Sequence, residues 1–486
     1  MYDVAIVGAG ITGCAAAYEL SKYHVRVAVI EKENDVAQEA TKANSAIIHA
    51  GYDPEEGTAM ARHNVRGCAM AKELCKKLDV PYVPLRSLVL AFTENEMEKV
   101  RVLYERGVKN GVPGLEIITG DKVRELEPSL SSEIKGALLA PSSGIVYPWE
   151  YAIAMAEVAQ KNGSSFFLNT MVEAIDKKED RFIIHTSDKV DPVIEARYVI
   201  NAAGCYADKI HEMVGGRGFK IEPSKGSYYL LDKSQGSLVH SVCFQCPTKA
   251  GKGVLVAPTV MGNLITGPDA LDTEDRDNKG TPKESLDYVM MMARKTTDKI
   301  NFRDNIRNFA GVRANSDQKD FVIGESPYCR DFINLACIKS PGLSSAPSIA
   351  LETVDILKGL GLELKKKESY TDSRRKIVVK NLGPEEKAAA IKENPLYGRV
   401  ICRCETITEG EIVDALKSPL CPPSIDGVKR RAGSGMGRCQ GGFCGPRVAS
   451  IIARERHIPL EQVLQDREDS EILVEETKKG GASYEI

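Results

Sequence analysis

The sequence DVAIVGAGITGCAAAYEL, residues 3–20, decides the fold of the N-terminal part of the chain. Its run VAIV suits a buried strand, a glycine-rich turn follows, and the alanine-rich remainder favours a helix. A second apolar strand at Val25–Ile30 ends at the acidic Glu31. Strand, glycine turn, helix, strand and acidic residue in this order are typical of a dinucleotide-binding βαβ unit.

The three glycines of the turn each have a physical role in such a unit. Gly8 permits the tight turn, Gly10 lets backbone N–H groups approach a pyrophosphate, and Gly13 lets the helix pack close to the strand. Glu31, eighteen residues after Gly13, is placed to bind a ribose hydroxyl. This unit alone would suit NAD as well as FAD. The predicted nucleotide-binding residues here are Gly8, Gly10, Ile11, Thr12, Gly13, Glu31 and Lys32.

Composition places the chain among ordinary soluble proteins. With 486 residues it is long enough for two or three domains, and its 43% hydrophobic and 27% charged residues are those of a globular protein. A net charge of −3 gives no reason to expect nucleic acid as a partner. The first strand begins at residue 3, which leaves no room for a signal peptide, and no apolar run reaches membrane-spanning length. We therefore expect a cytoplasmic protein without a transmembrane segment.

The next segment, QEATKANSAIIHAG at residues 38–51, distinguishes between the two cofactors. Small and hydroxyl side chains lead into a short apolar run ending at His49, so that the backbone can lie against a flat ring. The segment resembles the flavoproteins of the glycerol-3-phosphate oxidase and dehydrogenase, D-amino-acid-oxidase-like group, in which an Asn-Ser-x-x-x-His-x-Gly stretch runs beside the isoalloxazine. The resemblance implies FAD rather than NAD, and it adds Thr41, Asn44 and Ser45 to the cofactor-binding residues.

The resemblance covers residues 1 to about 358. The runs that carry it are AAYELS (16–21), ANS (43–45), IHAG (48–51), GKGV (251–254) and KSPGL (339–343). It implies that the AAG run at 202–204 closes over the ADP half of the flavin, and that a helix starting near 342 faces the pyrimidine carbonyl. Further cofactor-binding residues follow from it: Val172, Ala203, Gly204, Gly342, Leu343 and Ser344. L-2-hydroxyglutarate oxidases share much of this set. The membrane-associated glycerol-3-phosphate dehydrogenases carry a Gly-Gly-Lys-rich segment where this chain has residues 338–342, so a phosphate contact there is not assigned.

The predicted fold class is α/β and α+β. It comprises a Rossmann-like FAD-binding domain, an antiparallel-sheet substrate domain and a small helical iron–sulfur domain. Strands are predicted at 80–92, 166–175, 182–186 and 193–200 and through 221–268, and helices at 58–80, 94–111, 151–163 and 285–299. In the last helix, Val289 and Met290–Met292 are expected to be core residues. The predicted boundaries are 1–80, 141–215 and 305–360 for the FAD-binding domain, 81–140 and 216–304 for the substrate domain, 361–397 for a linker with a short helix at 384–393, 398–456 for the iron–sulfur domain, and 457–486 for a tail.

Four of the thirteen cysteines are spaced as metal ligands. Cys402 and Cys404 form a CxC, and Cys439 and Cys444 a CxxxxC, which suits either tetrahedral zinc or an iron–sulfur cluster. The glycine run at 433–437 would turn backbone N–H groups toward cluster sulfurs. The segment resembles the bacterioferritin-associated ferredoxin-like [2Fe-2S] module that ends anaerobic glycerol-3-phosphate dehydrogenase subunits, which favours the cluster. Other cysteines are expected to be buried, inert thiols or non-ligands: Cys14, Cys68, Cys75, Cys205, Cys337 and Cys421.

The resemblance implies a dehydrogenase that removes a hydride from a small anionic alcohol. His49 is the expected general base, Arg313 would hold the anionic end, and Lys252 would assist at the oxyanion or phosphate. On the residues alone, His49 could instead be a packed neutral histidine, Arg313 a salt-bridge partner of a protein carboxylate, and Lys252 an exposed turn residue.

The expected substrate is sn-glycerol 3-phosphate, which would give dihydroxyacetone phosphate. L-2-hydroxyglutarate is an alternative, and so is an electron-transfer flavoprotein subunit with no substrate of its own. No second GxGxxG unit follows residue 13, so there is no evident NAD(P) site. An appended cluster favours electron transfer to a redox partner protein or subunit. The basic residues of 362–397 allow a peripheral membrane contact, although a solvated connector is the favoured interpretation.

Overall fold

The computed structural model describes residues 1–247 and 253–474. Its contacts divide the chain into two units. The first comprises residues 1–32 and 36–375, and the second comprises residues 33–35 together with the chain from Lys376 onward. This boundary lies within the segment predicted as a linker. The division of the first unit into an FAD-binding domain and a substrate domain stays a prediction.

The helices and strands of the first unit alternate along the chain. In order they are β1 (Tyr2–Val7), α1 (Ile11–Leu20), β2 (Val27–Ile30), β3 (Ile47–Ile48), α2 (Ala59–Lys77), β4 (Tyr82–Pro84), β5 (Ser87–Ala91), α3 (Glu94–Lys109), β6 (Glu116–Thr119), α4 (Gly120–Leu126), β7 (Gly136–Ala140), β8 (Gly144–Val146), α5 (Pro148–Lys161), β9 (Ser165–Phe167), β10 (Val172–Lys177), β11 (Phe182–Thr186), β12 (Val193–Asn201), α6 (Ala207–Glu212), β13 (Ser224–Leu231), β14 (Val242–Gln245), β15 (Leu255–Pro258), β16 (Leu264–Gly267), β17 (Leu271–Asp272), α7 (Lys283–Thr296), β18 (Asn305–Arg313), β19 (Val322–Ser326), β20 (Cys329–Ala336) and α8 (Gly342–Gly359).

Strand β1 lies at the centre of the first sheet. It pairs in parallel with β2 and β12, and β12 also pairs in parallel with β20. Residues 4–7 and 27–30 are buried, which is why these strands read as continuous apolar runs rather than alternating ones. A ligand of such a sheet binds beyond the carboxyl ends of the parallel strands, which places the glycine turn after β1 at the ligand-binding edge.

The strand predicted at 166–175 is wrong as a single element. The structure breaks it into β9 and β10, which lie at opposite edges of the first sheet. Asn169 between them has a φ of +52°, and the Thr170 N–H donates to the Glu31 carbonyl oxygen at 2.8 Å. A left-handed residue stops the strand, and the hydrogen bond turns the chain across the end of β2.

A second sheet has the strand order β17-β13-β16-β15-β14-β5-β7-β6, with β18 also paired to β13. Its pairs are antiparallel as predicted, except that β5 and β14 run in parallel. Both faces are buried, because successive residues enter two different hydrophobic clusters: Val89, Leu138, Phe244 and Ile265 on one side, and Leu88, Leu90, Val256 and Leu264 on the other.

Helix α7 covers part of this second sheet. Its Val289 and Ala293 are buried in the second cluster, whereas Met291 is 60% exposed. The prediction that Met291 is a core residue is therefore wrong, because the helical period turns it away from the face that carries Val289. Met290 and Met292 pack partly against the cluster.

The predicted strand at 80–92 is wrong as one strand. Strand β4 joins β3 and β8 in a small three-stranded sheet, and β5 belongs to the second sheet. Pro84 ends β4, and a proline cannot donate to the next rung of a ladder. The chain therefore changes sheet at Leu85 and Arg86. The helices predicted at 58–80, 94–111 and 151–163 are confirmed as α2, α3 and α5 within a few residues.

The second unit is mainly helical. Its elements are α9 (Pro384–Glu393), β21 (Val400–Cys402), β22 (Ile407–Thr408), α10 (Glu409–Lys417), α11 (Ile425–Ala432) and α12 (Gly445–Arg456), of which α9 confirms the predicted short helix. Ile412, Val428, Val448 and Ile452 form its core. No helix among residues 1–247 and 253–474 combines the length and the apolar character needed to cross a membrane.

Asp35 is a fully buried carboxylate in the second unit. It accepts hydrogen bonds from Arg430 Nε at 2.8 Å and from both Nη atoms of Arg431 at 2.9 and 2.8 Å. Burial alone would raise the pKa of Asp35, but the two guanidinium groups hold it below the usual value. The carboxylate is thus charged and paired near neutral pH, as a buried charge must be.

Candidate active site and cysteine centre

The turn between β1 and α1 requires glycine at two positions for steric reasons. Gly8 has a φ of +103°, and a Cβ there would lie 2.5 Å from the Ala202 carbonyl oxygen. A Cβ at Gly13 would lie 2.0 Å from the carbonyl oxygen of Gly8. Gly10 is less crowded, with the Thr41 Oγ1 3.4 Å from its Cβ position. Ala202 and Gly13 therefore pack directly against the backbone of the turn.

Polar groups surround the N-terminus of α1. The Glu31 carboxylate accepts a hydrogen bond from the Ala9 N–H at 2.7 Å, and the Thr41 hydroxyl accepts one from the Ile11 N–H at 3.0 Å. Thr12 is buried in the first turn of this helix. The structure thus brings Glu31 and Thr41 together at the glycine turn, as their assignment to one nucleotide site requires.

Ala203 borders the same turn, because its Cα lies against Gly8. Val172 and Ala203 belong to the hydrophobic cluster that also contains Val7. Gly204 has a φ of +55° with open space at its Cβ position, where an L-residue would be strained. The Lys32 Nζ lies 3.2 Å from Asp277 and over the ring of Tyr206, two residues after Gly204.

The segment that carries His49 is fixed by several hydrogen bonds. The Asn44 Oδ1 accepts from the Ala46 N–H at 2.7 Å, so Asn44 stabilises its own turn. The Ser45 hydroxyl lies 3.1 Å from the hydroxyl of Tyr228, and the His49 N–H donates to the Ser344 Oγ at 2.8 Å. The backbone of this segment is thus held on one side by a strand of the second sheet and on the other by α8.

Helix α8 begins with the predicted residues Gly342, Leu343 and Ser344. Its N-cap residue, Pro341, offers no side-chain hydrogen bond, so the first turn has no cap of its own. Uncapped N–H groups and the positive end of the helix dipole suit an electronegative group of a ligand. This arrangement fits the predicted contact of the helix with a flavin carbonyl.

The imidazole of His49 has two neighbours that sequence reasoning did not single out. It stacks on Phe244 with a centroid distance of 5.7 Å, and its Nε2 lies 3.3 Å from the Ser340 Oγ. The ring is half-buried. Its orientation is therefore defined while one side stays accessible.

Arg313 is the last residue of β18, the strand whose Gly311 touches the same segment. Strands β13 and β18 pair so that Gly226 faces Gly311, and Tyr228 faces Phe309 with the two rings stacked 4.7 Å apart. A Cβ at Gly311 would lie 1.9 Å from the carbonyl oxygen of residue 43, so β18 touches the backbone beside Asn44. The structure thereby places β18 against the predicted flavin-contacting segment.

The Arg313 guanidinium lies directly against Gly226. A Cβ at Gly226 would lie 2.1 Å from the Arg313 Nη2, and that Nη2 donates to the Asp269 carbonyl oxygen at 3.0 Å. Arg313 is half-buried, and no carboxylate in residues 1–247 and 253–474 lies within salt-bridge distance of it. The described residues thus contain no salt bridge to Arg313, which was the alternative interpretation of this side chain. The predicted Lys252 lies outside the described residues.

The four predicted metal-ligating cysteines lie together in the second unit. The Sγ atoms of Cys404 and Cys439 are 3.6 Å apart, and the thiols of Cys402 and Cys444 are hydrogen-bonded to each other. In the part of the chain that the structure describes, no three or more His, Cys, Asp and Glu side chains converge as the ligands of one metal ion. Two adjacent thiol pairs fit a two-iron cluster, in which each iron takes two thiolates, better than a single zinc ion.

Backbone N–H groups point at these sulfurs. Hydrogen bonds from the Cys444 thiol and from the N–H groups of Gly435 and Glu405 lower the pKa of Cys402 although the thiol is buried, and the hydrogen bond to Cys402 raises the pKa of Cys444. The N–H groups of Phe443 and Gly441 likewise lower the pKa of Cys439. Such donors stabilise thiolate ligands, so the residues present fit the predicted [2Fe-2S] group.

The other cysteines are buried as predicted, except that Cys205 is half-buried. Burial raises the pKa of Cys68 to about 11 and that of Cys205 to about 12, and it also raises the pKa values of Cys75 and Cys337. Cys14 is buried. Burial raises the pKa of Cys421 as well, and its Sγ contacts the carbonyl oxygen of the next residue rather than the four cysteines.

The comparisons with known proteins agree with this geometry. Residues 3–356 match the family FAD dependent oxidoreductase, and residues 400–454 match the BFD-like [2Fe-2S] binding domain. The glycerol 3-phosphate dehydrogenase of Caloramator mitchellensis is 49% identical over 98% of this chain and 99% of its own length. The structure of dithionite-reduced L-alpha-glycerophosphate oxidase from Mycoplasma pneumoniae with FAD bound is 32% identical, with a TM-score of 0.73, over 77% of this chain and 98% of that one. The L-2-hydroxyglutarate dehydrogenase of Escherichia coli is 31% identical over 56% of this chain and 64% of its own length.

The chain therefore belongs to the FAD dependent oxidoreductase family and carries a BFD-like [2Fe-2S] binding domain after its flavoprotein part. The predicted fold class, the flavin cofactor and the iron–sulfur domain are confirmed, and zinc at the four cysteines is set aside. No local sequence signal marks Tyr228, Phe244 or Ser340 as neighbours of the site, because each contacts a residue that is distant in the chain.

Substitution of Gly13 by alanine tests the packing of the nucleotide turn. The new methyl group would meet the Gly8 carbonyl oxygen, so α1 must shift away from β1 and the N–H groups of the turn must move with it. We expect the purified Gly13→Ala protein to hold less than about a tenth of the wild-type FAD, the loss that about 1.4 kcal/mol of binding free energy produces. Gly359→Ala is the control, because its Cβ position is open. Equal FAD content in both variants, measured by absorbance after denaturation, would contradict the packing argument.

Proposed function

We propose that this protein oxidises sn-glycerol 3-phosphate to dihydroxyacetone phosphate and passes the two electrons through its iron–sulfur domain to a partner protein. Its Caloramator relative, a glycerol 3-phosphate dehydrogenase, matches both parts of the chain at 49% identity, which supports this substrate. FAD, when bound, supplies the hydride acceptor, and the [2Fe-2S] cluster supplies a one-electron relay.

The observation that carries the proposal is the environment of Arg313. Its guanidinium rests on Gly226, is oriented by the Asp269 carbonyl oxygen, and has no carboxylate partner among the described residues. A half-buried guanidinium without a counter-ion favours an anion, and its planar fork suits the oxygens of a phosphate. Arg313 thus provides the binding site for the charged end of the substrate.

His49 is the proposed general base. An imidazole needs little change of its pKa to accept a proton near neutral pH, and stacking on Phe244 with a contact to Ser340 defines its orientation. Its segment is also the one that resembles the flavin-contacting stretch of the glycerol-3-phosphate oxidase and dehydrogenase group. His49 would take the proton of the substrate hydroxyl while Arg313 holds the phosphate. Lys252, proposed from the sequence, would assist at the same anion.

The partner is proposed to be a protein rather than NAD(P). The chain has one GxGxxG unit, and its C-terminal domain is of a kind that carries single electrons. We propose a separate redox protein or subunit as the acceptor.

Anaerobic mixing with candidate substrates tests this proposal. We expect sn-glycerol 3-phosphate to bleach the flavin absorbance within seconds, and L-2-hydroxyglutarate to do so far more slowly. The second compound is the runner-up because it is also an anionic secondary alcohol, and a relative at 31% identity is a dehydrogenase of it. Faster bleaching by L-2-hydroxyglutarate would replace the substrate. Bleaching by neither compound would favour an electron-transfer subunit without a substrate of its own.

Replacement of His49 by glutamine tests the general base. Glutamine keeps polarity and approximate size but cannot accept the hydroxyl proton, so flavin reduction by saturating substrate should slow by about 10²–10⁴-fold. The control is His185→Gln, since His185 is exposed and pairs with Asp176 on the surface. Stopped-flow absorbance of the flavin measures both. A His49→Gln rate within about tenfold of wild type would remove His49 from this role.

A methyl group added at Gly226 tests the position of the Arg313 guanidinium. Gly226→Ala should displace the guanidinium from its place over β13, and loss of a charge-assisted hydrogen bond of about 1.5–3 kcal/mol would raise the KM for the phosphorylated substrate about 10–100-fold. FAD content should stay unchanged. Gly280→Ala is the matched control, because its Cβ would make only an ordinary contact with Asn278. An unchanged KM in Gly226→Ala would place the substrate anion away from Arg313.

A further inference from the structure

The four cluster ligands differ sharply in their exposure. Cys402 and Cys444 are buried to 1% and 2% relative exposure, whereas Cys404 and Cys439 are exposed. The four thiols therefore extend from the core of the second unit, at Cys402 and Cys444, to its surface, at Cys404 and Cys439. The surface side is where a partner protein could approach the ligand sulfurs.

The exposed charged side chains of the segments that carry Cys404 and Cys439 are cationic. Arg403, Arg438 and Arg447 are all exposed, and they belong to the segments 402–406 and 437–447 that carry the ligands. The acidic residue in these segments, Glu405, is buried, and its Oε2 lies 3.5 Å from Lys380. This local charge contrasts with the net charge of −3 of the whole chain.

An exposed aromatic side chain lies among these arginines. Phe443 precedes the ligand Cys444 and is 43% exposed. The guanidinium of Arg403 lies 4.6 Å from its ring centroid, and that of Arg447 lies 5.4 Å away. The cation–π contacts hold both charges beside the ring and so reduce the entropy lost on docking. Arginine and aromatic residues are also the types most enriched at binding hot spots.

We propose that this rim, formed by Arg403, Arg438, Phe443 and Arg447, is the docking surface for an acidic one-electron carrier protein. The inference deepens the proposed function and rests on it. A cationic rim steers an anionic partner to the exposed ligands, and such redox encounters need only a small interface. Oxidation of one alcohol to a ketone releases two electrons and two protons. Two oxidised carriers therefore dock in succession and take one electron each, while the protons pass to solvent.

Charge reversal on the rim tests the proposal, with soluble cytochrome b5 as the acidic probe and a basic cytochrome c as the opposite probe. We expect the oxidised wild-type holoprotein to bind cytochrome b5 more tightly than cytochrome c, with an affinity that falls as salt rises. Arg403→Glu/Arg447→Glu should weaken cytochrome b5 binding at least about tenfold and slow its substrate-driven reduction similarly. The matched control, Arg101→Glu/Arg330→Glu, makes the same charge change at exposed positions of the first unit and should stay within about twofold of wild type.

The integrity of the cluster is checked separately by the visible and electron paramagnetic resonance spectra. If the double variant loses those spectra, Arg447→Glu alone gives the test, because Arg447 lies on α12 outside the cysteine loops. Wild-type cytochrome b5 affinity in a rim variant with an intact cluster would overturn the proposal, as would equal weakening in the control or a preference of the wild type for cytochrome c. Binding to the oxidised protein needs no substrate. A failure of glycerol 3-phosphate to bleach the flavin would therefore overturn the proposed substrate only, and the cytochrome b5 binding measurement would still test the rim.

Discussion

Close contact between backbone segments at Gly8 is the constraint on which the first unit depends. The carbonyl oxygen of Ala202 and the helix residue Gly13 both approach the turn to distances that leave no room for a Cβ. This contact joins the end of β1, the start of α1 and the end of β12. The N–H groups at the helix N-terminus therefore lie where Glu31, Thr41 and Ala203 converge, at the carboxyl edge of the parallel strands.

The second sheet uses glycine in the same way at a different place. Gly311 lets β18 touch the backbone beside Asn44, and Gly226 leaves the space that the Arg313 guanidinium occupies. The two facing glycines thus permit two close contacts, one between β18 and the backbone beside Asn44 and one between Gly226 and the Arg313 guanidinium. The proposed chemistry depends on both, since a base and an anion-binding group must act on one small molecule.

In the second unit, the same sequence segments both hold the ligand sulfurs and form the surface beside them. Buried Cys402 and Cys444 lie in the core, while backbone N–H groups stabilise the thiolates. The intervening residues, Arg403 and Phe443, are exposed because the chain turns tightly around the ligands. The residues that hold the sulfurs and those that form the surface beside them are therefore adjacent in the chain.

Features that depend on local chain geometry could be predicted from the amino-acid sequence alone. The glycine turn, the cysteine spacing and the strong helical periods, including α9, need only neighbouring residues, so they were predicted correctly. The strands at 80–92 and 166–175 were wrong because a proline and a left-handed Asn169 sent the chain to other sheets. The folded structure was needed to show that Arg313 has no carboxylate partner among the described residues and that Tyr228 and Phe244 adjoin the His49 segment. Those facts depend on which distant strands pair, and pairing is set by packing over the whole unit rather than by any single stretch of sequence.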